Sequence, residues 1–319
     1  MKKVIATILV CSLVVSCAFS RRTKAAKKSA QEKGSTGATS VEKKSESSWA
    51  ETDATVTDEL AIWRKAYPDV KFELKTDDKQ WIISVTSYGK TQEYYWADGL
   101  YLYKSDLESK DKYWRVITRY QNKILDPATF TPEMTEKIRQ FGSSENRKNG
   151  KVSSKAIFNA IYDATTRRTT EQHIKQLKFL GYYPNVHEYL HPKLHRIEKR
   201  IYALSEKNPE VKKFLAELGS VEAYNWREIR DSNTRSFHSY GIAIDILPRG
   251  WGKKIVYWGF EKANGNADWM LIPVSKRWMP PKEVIDIFED EGFIWGGYWA
   301  VWDNMHFEYH PELVLNKEE

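Results

Sequence analysis

One short run constrains this chain more than any other: Ile242-Ala243-Ile244-Asp245-Ile246. Its β-branched residues read as a strand. A two-residue period puts Ile242, Ile244 and Ile246 on one face, with Ala243 and Asp245 on the other. A carboxylate in so apolar a strand is unfavourable to bury alone, so Asp245 requires a cation or hydrogen-bond donors beside it. Gly241 and Ala243 keep the neighbouring surface thin enough for something to approach.

His238 lies seven positions before Asp245. Some sixty residues later, Asp303-Asn304-Met305-His306 spaces a second carboxylate and a second imidazole three apart. Three of these four side chains could hold a zinc ion and leave one coordination position open, while the fourth could take a proton from water. That is the inventory of a metal-dependent hydrolase. Each residue alone has a plainer reading: a lone His is usually a hydrogen-bonded structural residue, and Asp303-x-x-His306 could cap a turn. Their joint appearance favours the site.

The formal charge of +7 on 319 residues does not point to nucleic acid. The first 55 residues hold ten Lys/Arg and five Asp/Glu, so +5 of the excess sits there and the body is nearly neutral. No nucleic-acid partner is expected. Lys2 and Lys3 followed by the apolar run Val4–Val15 read as an export signal, too short for a permanent membrane span. Val14-Val15-Ser16-Cys17 is similar to a bacterial lipobox, with lipid attached at Cys17. Ordinary cleavage after Ser20 also fits the small-residue rule. Either way the expected address is the cell envelope, with a membrane anchor if Cys17 is lipidated. The other cysteine, Cys11, lies inside the leader, so a body metal site must use His and carboxylates.

Ala18 to about Thr55 carries almost nothing large and apolar and reads as a disordered tether. Glu59–Tyr67 looks helical up to Pro68. Strands are expected at Val70–Leu74, Gln80–Thr86 and Gln92–Trp96, with Tyr88-Gly89 as a turn, and shorter ones at Tyr101–Tyr103 and Trp114–Ile117. From Pro132 to Gly219 the pattern is helical. Pro132 opens one helix, and Ser153-Ser154 caps another running to about Ala164. Thr170–Leu180 forms a third, stopped by Gly181; Pro192 and Pro209 open two more. Val221–Arg227 and Ile242–Leu247 read as strands, Pro280–Glu291 as a helix, and Val301–Tyr309 as a turn into a final strand. Alternation there sets His306 and Glu308 on one face. Glu308 reads as at most a supporting group and His310 as a surface residue. Trp295, Trp299, Trp302, Tyr240 and Phe307 read as core, although Trp299 and Tyr240 could wall a cleft.

His187-Glu188-Tyr189-Leu190-His191 is a literal H-E-x-x-H, a zinc pattern that needs both His on one face of a continuing helix. Pro184 lies just before it and Pro192 follows directly. The residue before a Pro is pushed out of α geometry, so the match reads as coincidence.

Ser236-x-His238-x-x-Gly241-x-Ala243-x-Asp245, followed by Gly296-Gly297-x-Trp299-x-x-x-Asp303-x-x-His306-Phe307, resembles the signature of the VanY-type zinc D-alanyl-D-alanine carboxypeptidases, a family that includes L-alanyl-D-glutamate endopeptidases. The resemblance covers about Tyr224–Tyr309. It implies an α+β fold: a small antiparallel sheet carrying the zinc site, packed against a helical layer and preceded by a small mixed region. Position by position, it implies Zn2+ held by His238, Asp245 and His306, with Asp303 as general base and Ser236 in support. Arg227, eleven before His238, is similarly placed to the family's substrate-gripping Arg. Many members carry Glu where this chain has Asp303, but the Gly-Gly-x-Trp context resembles the subgroup in which Asp is usual. The implied substrates are peptidoglycan stem peptides. The implied reaction is D-alanyl-D-alanine carboxypeptidase hydrolysis; the alternatives are L-alanyl-D-glutamate endopeptidase cleavage or a catalytically silent wall-binding lipoprotein. The expected division is a signal peptide at 1–17, a tether at 18–55, a mixed region at 56–126 and a zinc peptidase domain at 127–319, its core motifs at 221–313.

Overall fold

The computed structural model describes residues 45–77, 80–232 and 234–317. The signal peptide, Cys17 and the expected tether as far as residue 44 lie outside the described residues. The chain begins with helix α1 (Ser45–Ala66), longer than the helix expected from Glu59 and reaching into the stretch expected as tether. Val56, Leu60 and Trp63 are its buried stripe. Val56 already belongs to that stripe, so the amphipathic helix includes residues before Glu59.

Four antiparallel strands follow as a meander: β1 (Lys71–Asp77), β2 (Gln80–Ser87), β3 (Lys90–Ala97) and β4 (Leu100–Leu102). Two of its turns use paired positive φ values, Tyr88-Gly89 at 49° and 71° and Asp98-Gly99 at 55° and 82°. Such turns match the strand twist of a tight hairpin. Strand β5 is only Tyr113–Trp114, shorter than expected, and runs parallel to β6 (Val152–Ser153). Between them lie α2 (Pro132–Phe141) and α3 (Ser144–Asn149). Helix α4 (Ala156–Ile161) lacks the expected serine cap: Ser153 is committed to β6, and the Ser154 hydroxyl donates to the Tyr101 carbonyl at 3.0 Å.

The expected helix Thr170–Leu180 is replaced by two elements. The Thr166 capping box starts α5 early, at Arg167–His173, and the chain then forms a hairpin of β7 (Ile174–Gln176) and β8 (Asn185–His187). Leu180 and Gly181, at φ 50° and 85°, make its turn. A glycine that suits a helix stop suits a hairpin turn equally well, which is why Gly181 misleads. Helices α6 (His191–Ser205) and α7 (Pro209–Glu217) follow as expected.

The central sheet has the order β11-β12-β10-β9, all antiparallel, from β9 (Leu218–Glu222), β10 (Ala243–Pro248), β11 (Phe293–Trp295) and β12 (His306–Tyr309). Strand β9 ends before Arg227, because the Tyr224 N–H leaves the sheet to donate to the Asn185 carbonyl at 2.9 Å. Helix α8 (Trp258–Ala263) lies in the aromatic excursion; α9 (Lys282–Asp290) and α10 (Pro311–Val314) flank β11 and β12. One face of the sheet is apolar, with Phe307 of β12 stacked on Phe288 of α9 at 4.2 Å. The architecture is α+β, small antiparallel sheets packed against helices. Among the described residues no helix is long and apolar enough to cross a membrane.

A single apolar cluster joins the N-terminal meander to the central sheet, running from Trp63, Phe72 and Tyr101 through Phe158 and Phe237 to Phe307. Buried Glu59 organises its N-terminal end, accepting from Trp96 Nε1 at 2.8 Å, the Tyr101 hydroxyl at 2.9 Å and Arg115 at 2.7 Å. Glu59→Ala strands two buried donors, so unfolding in urea is expected to show a loss of about 2–4 kcal/mol. A loss below about 0.5 kcal/mol would mean the network does not hold the meander.

Candidate metal centre

Strand pairing sets Asp245 of β10 opposite His306 of β12, and the next pair on the same face is Ala243 opposite Glu308. Opposed residues on adjacent strands stand close enough for their side chains to meet. His238 comes from a different element, a 3₁₀ turn spanning Phe237–Tyr240 that precedes β10. Ser236 caps that turn, its hydroxyl oxygen accepting from the His238 N–H at 3.3 Å. Gly241 ends it at φ 70°, where a Cβ would lie 2.4 Å from Ile174 Cδ1 and 2.8 Å from the His187 nitrogen. Gly241 thus permits both the left-handed turn and the close approach of β8.

One ligand atom from each of His238, Asp245 and His306 lies within 4.8 Å of the others, a group that could hold a metal ion. The hydrogen bonds determine which atoms face inward. His238 donates from Nδ1 to the Ala223 carbonyl at 2.6 Å, which leaves Nε2 facing Asp245 Oδ2 at 3.2 Å. His306 donates from Nε2 to Glu308 Oε1 at 2.9 Å and from Nδ1 to Asp245 Oδ1 at 2.7 Å. Each ring is therefore oriented by an outer partner and presents its other nitrogen to one carboxylate, the usual arrangement around a metal-ligating imidazole. A cation would replace the His306 Nδ1 proton.

Electrostatics agree with the geometry. Burial works to raise the Asp245 carboxyl, but the imidazoles of His238 and His306 hold it well below the usual carboxylate range. Burial works to lower His306, and the Asp245 and Glu308 carboxylates overcome it, holding that imidazole well above its ordinary value.

Asp303 begins the turn into β12, its carbonyl accepting from the His306 N–H at 3.3 Å. Its Oδ1 is shut off from solvent without a hydrogen-bond partner. Burial pushes its carboxyl up to about 8; His306 pulls it down, and Asp245 and Glu308 push it further up. The Gly296-Gly297 pair has a steric reason. A Cβ on Gly296 would lie 2.6 Å from the Asp303 carbonyl oxygen, and one on Gly297 would lie 2.2 Å from the Trp295 ring. The Trp295 indole N–H also donates to the Asn304 carbonyl at 2.9 Å, pinning the same turn.

A polar cleft of about 340 Å³ opens on His238 and Asp245, walled by Tyr183, Asn185, Glu222, Tyr224 and Arg227. Arg227 stands on this rim, with its backbone N–H donating to Ser239 Oγ at 3.0 Å. Of the two aromatics expected to wall a cleft, Trp299 packs on His306 at 5.5 Å between ring centroids. Tyr240 is fully buried instead, its hydroxyl donating to Asn159 Oδ1 at 2.9 Å.

His310 is not a surface residue. It is fully buried, donating from Nδ1 to Glu312 Oε1 at 2.7 Å. Glu308, expected as at most supporting, bonds His306 directly. The signal for both lay in the alternation His306-x-Glu308-x-His310, which a strand places on one face.

The H-E-x-x-H residues do not converge. His187 ends β8, buried, with Nε2 donating to the Tyr162 carbonyl at 3.1 Å and Nδ1 accepting from the Tyr189 N–H at 3.2 Å. Burial lowers its pKa to about 4, so it stays neutral. Glu188 accepts from His173 Nδ1 at 2.8 Å, and His191 opens α6. His238→Ala is expected to abolish stoichiometric divalent-metal binding, and His191→Ala to leave it intact, as read by titration with a chromophoric chelator. The reverse pattern would move the centre to β8 and α6.

Residues 230–309 match the sequence model of a family described as D-alanyl-D-alanine carboxypeptidase. No curated protein and no solved structure matches the chain. The matched stretch takes in Ser236, His238, Asp245, Asp303 and His306 and stops short of Arg227, so the three converging side chains all fall inside it.

Proposed function

We propose that this chain is a zinc-dependent peptidase that hydrolyses peptidoglycan stem peptides, acting as a D-alanyl-D-alanine carboxypeptidase. The observation that carries it is the convergence of His238, Asp245 and His306 inside the family-matched stretch, each imidazole tautomer set by a partner outside the trio. Nitrogen and oxygen donors with one carboxylate and no thiolate suit a catalytic rather than a purely structural zinc. Zinc bound there supplies Lewis-acid activation of water and of the scissile carbonyl.

The chain's own residues supply the rest. Asp303, half-buried and with an unpaired Oδ1, takes the proton of the attacking water and returns it to the departing amine. Arg227 on the cleft rim holds the terminal carboxylate of the substrate, where a guanidinium fork matches carboxylate geometry. The polar cleft accommodates a peptide backbone with small side chains. Export to the envelope, with a lipid on Cys17, would bring the site to this substrate.

Mass spectrometry of sacculi digested with the zinc-loaded protein tests the proposal. Release of D-alanine is the expected result, and Asp303→Asn is expected to slow it by about 10²- to 10⁴-fold with metal stoichiometry unchanged. Products cut between L-alanine and D-glutamate would reassign the bond to the endopeptidase reaction. Bound zinc with no product, and no change on Asp303→Asn, would instead indicate a silent wall-binding protein.

A further inference from the structure

Beyond the three converging side chains, a line of buried polar groups runs away from the centre into the N-terminal part of the fold. Glu308 takes the His306 Nε2–H at 2.9 Å, and its other oxygen, Oε2, lies 3.4 Å from His310 Nε2. His310 donates from Nδ1 to Glu312 Oε1 at 2.7 Å, and Glu312 Oε2 accepts from the Tyr67 hydroxyl at 2.9 Å. The Tyr162 hydroxyl donates in turn to the Tyr67 oxygen at 3.2 Å. Tyr67 directly follows α1, and Glu312 lies in α10. The line thus links β12 to an element more than two hundred residues earlier.

Aromatic rings leave it little freedom. Phe158 and Phe237 meet the His310 ring edge to face at 5.3 and 4.5 Å, and Trp63 of α1 packs on Phe158 at 5.8 Å. His310, Glu312 and Tyr67 are each fully buried, and Glu308 is 7% exposed. The two carboxylates that flank His310 overcome its burial and raise its pKa.

A series of buried charges is a poor device for stability, because well-packed apolar residues of similar volume usually serve as well or better. What it does supply is orientation. A ligating imidazole is aimed by whatever holds its second nitrogen, and that partner is aimed by its own partners. Glu308 could swing about its side-chain torsions. The His310 ring faces Oε2 across 3.4 Å, an electrostatic rather than a hydrogen-bonded contact, and Glu312 with Tyr67 fixes that ring.

We propose that His310, Glu312 and Tyr67 are positioning residues that, through Glu308, hold the His306 ring in the geometry the metal requires, so that the N-terminal helix is part of the metal centre's support. This rests on the metal-centre function proposed above. The sequence region before residue 126 thereby gains a role, as the far anchor of a ligand it never touches.

The test uses the full chain, reading zinc affinity by chelator competition and the visible absorption of the cobalt(II)-substituted protein, which reports ligand geometry. Tyr67→Phe keeps the ring and removes one oxygen; Glu312→Gln keeps shape and removes the charge. Glu312→Gln is expected to weaken zinc binding by about tenfold, the low end for loss of an outer-sphere partner. Tyr67→Phe is expected to weaken it by a smaller factor, and both are expected to alter the cobalt spectrum. Affinity and spectrum unchanged in both variants, even with a lowered melting temperature, would make the network merely structural and overturn the proposal. If Glu312→Gln does not fold, Tyr67→Phe decides alone by the same two readings. A parent protein that binds no zinc overturns the metal-centre function itself, an outcome distinct from parent binding that the variants leave untouched.

Discussion

The centre depends on burying the Asp245 carboxylate between two imidazoles. Unpaired, that charge inside β10 would cost several kcal/mol; paired, it becomes the point on which separate elements must agree. The pairing register of β10 with β12 brings His306, and the capped 3₁₀ turn before β10 brings His238. A one-residue slip of β12 would send His306 to the apolar side against Phe288 and bring Phe307 to the carboxylate. Register is therefore enforced twice, by apolar packing on one face and by charge on the other.

The same constraint explains why the flanking segments look as they do. Gly241, Gly296 and Gly297 all lie where a side chain would collide with a neighbouring element. Their small size lets the turn before β10 close on the β7–β8 hairpin and the Gly296–Tyr298 turn close on Asp303 and Trp295. The N-terminal meander shares the apolar cluster that supports the sheet, and Tyr120 extends the connection: its hydroxyl donates to Glu289 of α9 at 2.7 Å and accepts from the Trp295 N–H at 3.1 Å. Two polar routes, through Tyr67 and through Tyr120, thus tie early residues to the adjacent strands β12 and β11.

Much of this was legible in the sequence because charge in an apolar strand has few solutions. Spacing singled out His238, Asp245, Asp303 and His306 as a group, the family resemblance implied which three would hold a metal, and the meander followed from its turn residues. The failures share a physical cause: one local signal with two uses. Leu180-Gly181 suits a helix end or a hairpin, and only the tertiary pairing of β7 with β8 decides. His310, followed by Pro311, reads as a strand end exposed to water. The proline instead opens α10 and carries Glu312 back onto the imidazole. In α1, buried Val56 belongs to a helix that polar neighbours disguised.

Much of the cleft lies outside the family-matched stretch. The matched stretch begins at residue 230, yet much of the cleft wall is built from Tyr183 and Asn185 of the β7–β8 hairpin and from Glu222, Tyr224 and Arg227 after α7. Glu222 is the strand partner of Asp245 on the side away from His306, so a second carboxylate borders the cleft close to the first. A substrate entering there meets acid on the strand side and the Arg227 guanidinium on the rim. That polarity favours a ligand that carries its own positive and negative ends, or a backbone offering donors to one wall and acceptors to the other. The hairpin that replaced an expected helix supplies part of the cleft wall through Asn185, whose carbonyl accepts from the Tyr224 N–H.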